Sequence, residues 1–208
     1  MNQTKRYFFP RKPILILCGL LALAAPLLAK DKKKDKAGAG LNNAVVLVIR
    51  HGEKPDQGTD LSPAGQQRAD AYVRYFEKFI VNSSPLKLDH LFAAADSKTS
   101  HRPRLTLEPL SKALGLAIDA RYSETQNQDL AADLRKKKPG DQILICWHHQ
   151  EIPDLLKALG AEPGTLLDGG KWPDNVYDWV VQLRYDSDGH VLEARRINEK
   201  LMPGDSDQ

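Results

Sequence analysis

The stretch AVVLVIRHGE, residues 44–53, joins a continuous apolar run to Arg50, His51 and Glu53. Its apolar part is rich in β-branched residues, which is typical of a strand covered on both faces. A second such run, QILICW at 142–147, is followed directly by His148 and His149. In parallel sheets flanked by helices, ligand-handling groups collect at the carboxyl ends of the strands. We therefore expect His51 and His148 to meet in one site.

Helix and strand patterns alternate around these two runs. The sequence predicts a helix capped by Ser62, a strand at 88–95, a helix at 103–115, a short strand at 116–119 and helices near 128–138 and at 152–159. The alternating segments 178–185 and 190–196 predict a hairpin. This order predicts an α/β fold, a three-layer sandwich whose mostly parallel sheet has helices on both faces.

The two ends of the chain differ from this central part. Residues 1–29 combine a basic start, an apolar run from Ile14 to Ala29 and a small residue at its end, which is typical of a signal peptide. We expect a disordered charged and glycine-rich linker at 30–43, a domain at 44–200 and a disordered tail at 201–208. The protein would then be periplasmic or secreted. The alternative is an inner-membrane anchor formed by residues 14–29, which would be the only membrane contact.

Charge and cysteine content exclude several kinds of protein. Removing residues 1–29 changes the formal net charge from +3 to −1, so a basic face for nucleic acid is not indicated. Cys146 is then the only cysteine left, which excludes an intramolecular disulfide and a cysteine-based zinc site. Its apolar neighbours indicate a buried, inert thiol.

Four motifs occur in order along the chain: Arg50-His51-Gly52, LSPAGQQRA at 61–69, Arg102 with Thr106, and His148 with Ile152-Pro153. Together they resemble the histidine phosphatase superfamily, the phosphoglycerate mutase-like proteins. Arg50-His51-Gly52 is similar to the family signature, and LSPAGQQRA at 61–69 resembles its first helix. Arg102, with Thr106 four residues later, resembles the second arginine, and His148, with Ile152-Pro153, resembles the second histidine. Two positions depart from the family pattern. Trp147 stands where glycine is common, and His149 stands where one branch has a proton-donating aspartate.

The resemblance implies a phosphatase that forms a phosphohistidine on His51. Arg50, Arg102 and His148 would bind the phosphoryl oxygens, because arginine makes paired hydrogen bonds to phosphate. Arg104 is a rival for the role of Arg102. These cations would make a metal and any other cofactor unnecessary.

The proton donor to the leaving alcohol is open between two glutamates. Glu124 follows the short strand, where the mutase-like branch keeps its glutamate. Glu53 is near the nucleophile and would contact the substrate, but it could instead pair with an arginine. We favour Glu124. His149 adjoins His148, so we expect its side chain to point away from the site.

Three other functions remain open at this stage. The chain could be a non-catalytic protein that binds a phospho-ligand, a phosphomutase, or a zinc hydrolase using His51, Glu53 and His148 or His149. No two histidines have the spacing of a helical zinc motif, and neighbouring arginines would repel a metal. A small-molecule phosphate ester is the expected substrate.

Overall fold

The computed structural model describes residues 41–205. The predicted signal peptide, residues 30–40 of the predicted linker and residues 206–208 lie outside the described residues. In chain order the elements are β1 (Val45–Arg50), α1 (Pro63–Glu77), β2 (Ile80–Val81), β3 (Ser84–Pro85), β4 (His90–Ala93), α2 (Arg102–Leu114), β5 (Ile118–Asp119), α3 (Asn127–Leu134), β6 (Gln142–Trp147), α4 (Ile152–Ala158), β7 (Trp179–Tyr185) and β8 (Val191–Asn198). None of the helices within 41–205 is long and apolar enough to cross a membrane.

Six strands form one sheet in the order β5-β4-β6-β1-β7-β8. The strands β5, β4, β6 and β1 are parallel, whereas β7 runs antiparallel to β1 and pairs with β8 as a hairpin. The two apolar strands that precede His51 and His148, β1 and β6, are therefore neighbours in the centre of the sheet. All six residues of β1 are buried, as expected for a strand covered on both faces.

Two apolar cores fill the space on the two faces of the sheet. The side chains of β1 alternate between them, so that Val46 and Val48 join one core and Leu47 and Ile49 join the other. Helices α3 and α4 pack on the first core, and helices α1 and α2 on the second. Each fully buried aliphatic side chain contributes about 1.5–3 kcal/mol. The three-layer α/β sandwich predicted from the sequence is confirmed.

Local signals place several element ends. The Ser62 side chain accepts a hydrogen bond from the Gly65 amide and caps α1. Gly115 ends α2 at φ 66°, in the left-handed region that glycine adopts at low cost. Helix α3 stops at Leu134, earlier than the predicted 138, because the amides of Lys136 and Lys137 donate to the carbonyls three residues before them, in turns tighter than those of an α-helix.

The packed region extends past the boundaries predicted at residues 44 and 200. Leu41 is buried in the first core. At the other end, the Asp205 carboxylate lies 2.5 Å from the guanidinium of the buried Arg68. Tertiary contacts therefore begin before β1 and continue after β8.

Candidate active site

The carboxyl ends of β1 and β6 bring two histidines together. Arg50 pairs with Trp147 in the parallel register, and the His51 amide donates to the Trp147 carbonyl at 3.1 Å. The residue that follows each strand is a histidine, His51 after β1 and His148 after β6. Their ring centroids are 5.1 Å apart. The two residues meet as the sequence predicts.

His51 is held as a neutral imidazole with one free nitrogen. Its Nδ1 lies 2.7 Å from the Gly52 carbonyl oxygen, which can only accept, so Nδ1 bears the proton and Nε2 keeps its lone pair. Burial lowers the pKa of His51 to about 2, and the charges of Arg50 and Arg102 add to this effect. A buried, neutral Nε2 is suited to nucleophilic attack.

Two glycines allow the loop after β1 to lie against the start of α1. A Cβ on Gly52 would come within 2.9 Å of the Gly65 carbonyl oxygen, and a Cβ on Gly65 within 2.5 Å of the Glu53 carbonyl oxygen. The Gly52 amide also donates to the Thr106 hydroxyl at 2.8 Å, and that hydroxyl donates to the Arg102 carbonyl. Close backbone contact with α1 and the hydrogen bond to the Thr106 side chain of α2 thereby fix the loop that contains His51.

Arg50 is almost fully buried and lies between a loop and the histidines. Its Nη1 donates to the carbonyls of Pro173, Asp174 and Val176 at 2.7–3.1 Å. Its guanidinium carbon lies 3.8 Å from the centroid of the Tyr177 ring, a cation–π contact. Burial lowers the pKa of Arg50 to about 10, which leaves it charged at neutral pH.

Arg102, rather than Arg104, faces the histidines. Its Nη1 donates to the Thr59 carbonyl at 3.2 Å, and its charge lowers the pKa of both His51 and His148. Arg104 instead forms ion pairs with Asp96 and Glu108. Of the two arginines, Arg102 is therefore the one that lies beside the histidines.

Both arginines of the site keep a buried donor without a partner. The Nε atoms of Arg50 and Arg102 are inaccessible to solvent and make no hydrogen bond. Buried donors are nearly always paired in native proteins, and an unpaired one is costly. Both unpaired donors belong to arginines whose charges act on the neutral His51.

His148 contacts the glutamate that the sequence favours as proton donor. Its Nδ1 lies 3.6 Å from a carboxylate oxygen of Glu124, whose side chain is half exposed. Burial, and then the charge of Arg102, lowers the pKa of His148 to about 4, so this histidine is also neutral near pH 7. The indole N–H of Trp147 donates to the Glu124 carbonyl at 2.9 Å. The tryptophan that departs from the family pattern therefore helps to position Glu124.

Glu53 is held by an arginine of α1. Its Oε1 accepts from Arg68 Nη2 at 2.8 Å and from Arg68 Nε at 3.0 Å. The sequence allows two roles for Glu53, proton donor or partner of an arginine. The structure shows the pairing with an arginine. Of the two glutamates, Glu124 is the one that contacts His148.

His149 lies at the site, contrary to the expectation from its position beside His148. Its Nδ1 is 3.3 Å from Arg50 Nη2, and its Nε2 is 2.8 Å from an Asp174 carboxylate oxygen. The strict alternation of side chains ends with β6 at Trp147, so adjacent residues in the following turn can face the same side. Asp174, which the sequence analysis missed, has no local signal because its partner is distant along the chain.

The described residues contain one group with ligand atoms close enough to hold a metal, Asp186, Asp188 and His190. It lies in the turn between β7 and β8. Because β7 is antiparallel to β1, this turn is at the opposite edge of the sheet from His51. Within residues 41–205, the zinc ligands considered from sequence (His51, Glu53 and His148 or His149) do not form such a group.

No model of a known protein family matches the sequence, and no curated protein sequence matches it significantly. Among solved structures, the fold is similar to that of the protein histidine phosphatase SixA complexed with tungstate. The TM-score is 0.51 at 14% identity, over 74% of this chain and 97% of that one. A phosphoglycerate mutase from Plasmodium falciparum gives a TM-score of 0.49 at 16% identity, over 80% and 98% of the two chains. A mycobacterial glucosyl-3-phosphoglycerate phosphatase gives 0.49 at 14% identity, over 76% and 99%. The likeness to SixA shows that the chain has the fold of the histidine phosphatase superfamily, the phosphoglycerate mutase-like fold.

Proposed function

We propose that this protein is an exported phosphatase that hydrolyses small phosphate monoesters through a phosphohistidine on His51. The observation that supports this most directly is the neutral, buried His51, whose Nε2 keeps its lone pair and whose pKa is lowered by burial and by the charges of Arg50 and Arg102. A phosphate monoester has about two negative charges near neutral pH, so the two guanidinium groups would attract it.

In the first step, Nε2 of His51 attacks phosphorus as the bond from phosphorus to the ester oxygen breaks. The charge of this loose transition state is spread over the phosphoryl oxygens, where Arg50, Arg102 and His148 stabilise it. The departing alkoxide needs a proton, and the Glu124 carboxyl group beside His148 donates it.

In the second step, water replaces the leaving alcohol and attacks the phosphohistidine. The Glu124 carboxylate, now deprotonated, accepts a proton from this water, and the bond from phosphorus to Nε2 breaks. Inorganic phosphate and neutral His51 are the products. The Nδ1–H of His51 remains hydrogen-bonded to the Gly52 carbonyl in both steps, so the ring keeps its orientation.

The two arginines supply the positive field that a divalent ion gives to other phosphatases, so the proposed reaction is metal-independent.

The proposal that the protein is exported is supported by residues 1–29, whose pattern is typical of a signal peptide. Cleavage would follow Ala29, and N-terminal sequencing of the protein from its native host should begin at Lys30. A start at Met1, with the protein in the membrane fraction, would instead support the anchor.

The experiment is a panel of phosphate esters assayed with the wild type, His51→Ala and the control His90→Ala. His90 is a histidine of β4 that pairs with Asp141, away from His51. Removing the nucleophile should lower kcat by at least about 10³-fold, and the control should remain active. Dialysis against a strong chelator should leave the wild-type rate unchanged.

Three outcomes would contradict the proposal. Full activity of His51→Ala would exclude the phosphohistidine. Loss of activity in the chelator, restored by zinc or magnesium, would exclude metal independence. An isomerised phosphate ester in place of inorganic phosphate would identify a mutase.

A further inference from the structure

A cavity of about 490 Å³ lies beside the proposed phosphoryl site. It is lined by His149, Gln150, Lys157, Lys171, Trp172 and Asp174, among others. His149 is part of both the cavity and the phosphoryl site, because it lines the cavity while its Nδ1 contacts Nη2 of Arg50. The volume is within the range of small-molecule sites in proteins, about 300–1,000 Å³.

A second cavity borders the same segment of chain but has the opposite charge. It measures about 210 Å³, and its lining includes Glu53, Asp178 and Asp205 with Arg68 as the one basic residue. Three acidic groups beside one arginine disfavour an anionic ligand. Of these two cavities, the larger one is therefore the better place for the rest of a phosphorylated substrate.

The charged groups of the 490 Å³ cavity favour an anion. In the described part of the chain, the Lys171 ammonium has no ion-pair partner. Lys157 contacts Asp154 at 2.9 Å, but both side chains are more than half exposed, so this pair is weak and exchangeable. The Asp174 carboxylate accepts the Nε2–H of His149.

The charge of a further lysine, Lys54, affects His149, the residue that lies between the cavity and the phosphoryl site. The charge of Lys54, like that of Arg50, lowers the pKa of His149 below its ordinary value, although burial has the largest effect. Asp174 raises that pKa, and among the described residues of the lining it is the one acidic residue against the two lysines Lys157 and Lys171. Apolar contact is available from Trp172 and from the lysine stems.

We propose that this cavity binds the leaving group of the substrate, and that Lys157 and Lys171 select a leaving group with its own carboxylate or phosphate. The proposal rests on the phosphatase function proposed above. It narrows the substrate class to phosphate esters with a second anionic group some distance from the scissile bond.

The test compares ω-carboxyalkyl phosphates of increasing chain length with the alkyl phosphates of matched length. In the wild type, the kcat/KM of the best carboxyalkyl ester should exceed that of its alkyl match by about five- to tenfold, the size expected for partly exposed ion pairs. This ratio should fall close to one in the double variant Lys157→Met/Lys171→Met. It should also fall at high salt, because screening weakens exposed pairs.

Lys112→Met is the matched control, because Lys112 is an exposed lysine in the last turn of α2. It should keep the wild-type ratio. A wild-type ratio of one at every chain length, or an unchanged ratio in the double variant, would overturn the inference while leaving the phosphatase function intact. No hydrolysis of either ester series would overturn the proposed function itself.

Discussion

At the scale of the residue, the site combines neutral histidines with charged arginines. Burial and the arginine charges both lower the pKa of His51, to about 2, and that of His148, to about 4. Because a lowered histidine pKa favours the neutral form, both rings stay uncharged well below neutral pH. The nucleophile therefore keeps its lone pair in the same positive field that attracts its substrate.

Glu124→Gln tests the proton donor at this scale. The amide keeps the size of the side chain but cannot donate a proton to an alkoxide. Hydrolysis of an alkyl phosphate should fall by roughly 10²–10⁴-fold, whereas an aryl phosphate with a good leaving group should be affected far less. Steady-state rates on both esters give the comparison. Equal losses on the two esters, or none on either, would show that Glu124 is not the acid.

The sequence predicts the residues of the site that stand at strand ends, and it misses those that depend on long-range contacts. His51 and His148 follow apolar runs, so their meeting can be derived from sheet topology. The sequence leaves open that Glu53 pairs with an arginine but does not identify Arg68, and nothing local indicates that His149 contacts Asp174. Such pairs depend on side-chain directions that only the folded chain defines.

At the scale of the element, the contact between β1 and α1 controls the position of His51. The loop after β1 and the first turn of α1 approach at backbone distance, where Gly52 and Gly65 leave no space for a side chain. A glycine inside a helix costs about 0.5–1 kcal/mol relative to alanine. The close approach therefore explains a residue that helix propensity alone disfavours.

Gly65→Ala should destabilise the protein despite its better helix propensity. The new Cβ would lie 2.5 Å from the Glu53 carbonyl oxygen, so the loop must move. We expect a loss of about 1–3 kcal/mol in the free energy of unfolding, together with a lower kcat. Urea denaturation and steady-state kinetics measure the two effects.

Gly164→Ala serves as the control for this variant. A Cβ on Gly164 meets only a side-chain oxygen of Glu162, at the ordinary contact distance of 3.5 Å. Its unfolding free energy should stay within about 0.5 kcal/mol of the wild type. Wild-type stability and activity in Gly65→Ala would contradict the proposed role of the backbone contact.

Most elements are predictable from sequence because they have strong local signals. The strand β6 lies at 142–147 as predicted, and the β7–β8 hairpin follows its alternating pattern. The sequence does not indicate the hairpin β2–β3, because its strands have two residues each and little periodicity. Its turn has positive φ at Asn82 and Ser83, which are less obvious turn residues than glycine.

At the scale of the whole molecule, a buried polar cluster joins α1 to the C-terminal segment. Arg68 contacts Glu53, Glu199 and Asp205, and the Tyr72 hydroxyl donates to Glu199 at 3.0 Å. Burial raises the pKa of Glu199 to about 8, and Asp205 adds to the shift, although Arg68 opposes it. The cluster is therefore stable with a neutral Glu199 carboxyl group.

The stability of the protein should depend on the protonation of Glu199. Since its pKa is higher in the folded protein than the ordinary value of 4.5, the folded state binds this proton more tightly. The contribution of this proton to the free energy of unfolding is complete below pH 4.5 and is lost as the pH rises through about 8. Glu199→Gln keeps the acceptor for Tyr72 and cannot ionise, so it should flatten this part of the pH dependence.

Urea denaturation at pH 5 and pH 8 measures this contribution. The loss of unfolding free energy between the two pH values should be smaller in Glu199→Gln than in the wild type by at least about 1 kcal/mol, the equivalent of roughly one pKa unit. Glu77→Gln, at an exposed glutamate of α1, should behave like the wild type. Identical pH slopes for the wild type and Glu199→Gln would show that Glu199 is ionised in the folded protein.

The covalent phosphohistidine is the central claim, and trapping it is the most direct test. The protein is mixed with a ³²P-labelled ester, denatured rapidly and digested, and the labelled peptide is sequenced. We expect an acid-labile, base-stable phosphate on His51, absent from His51→Ala and present in His90→Ala. Turnover of the ester without label on His51 at any quench time, or label on another residue, would contradict the account.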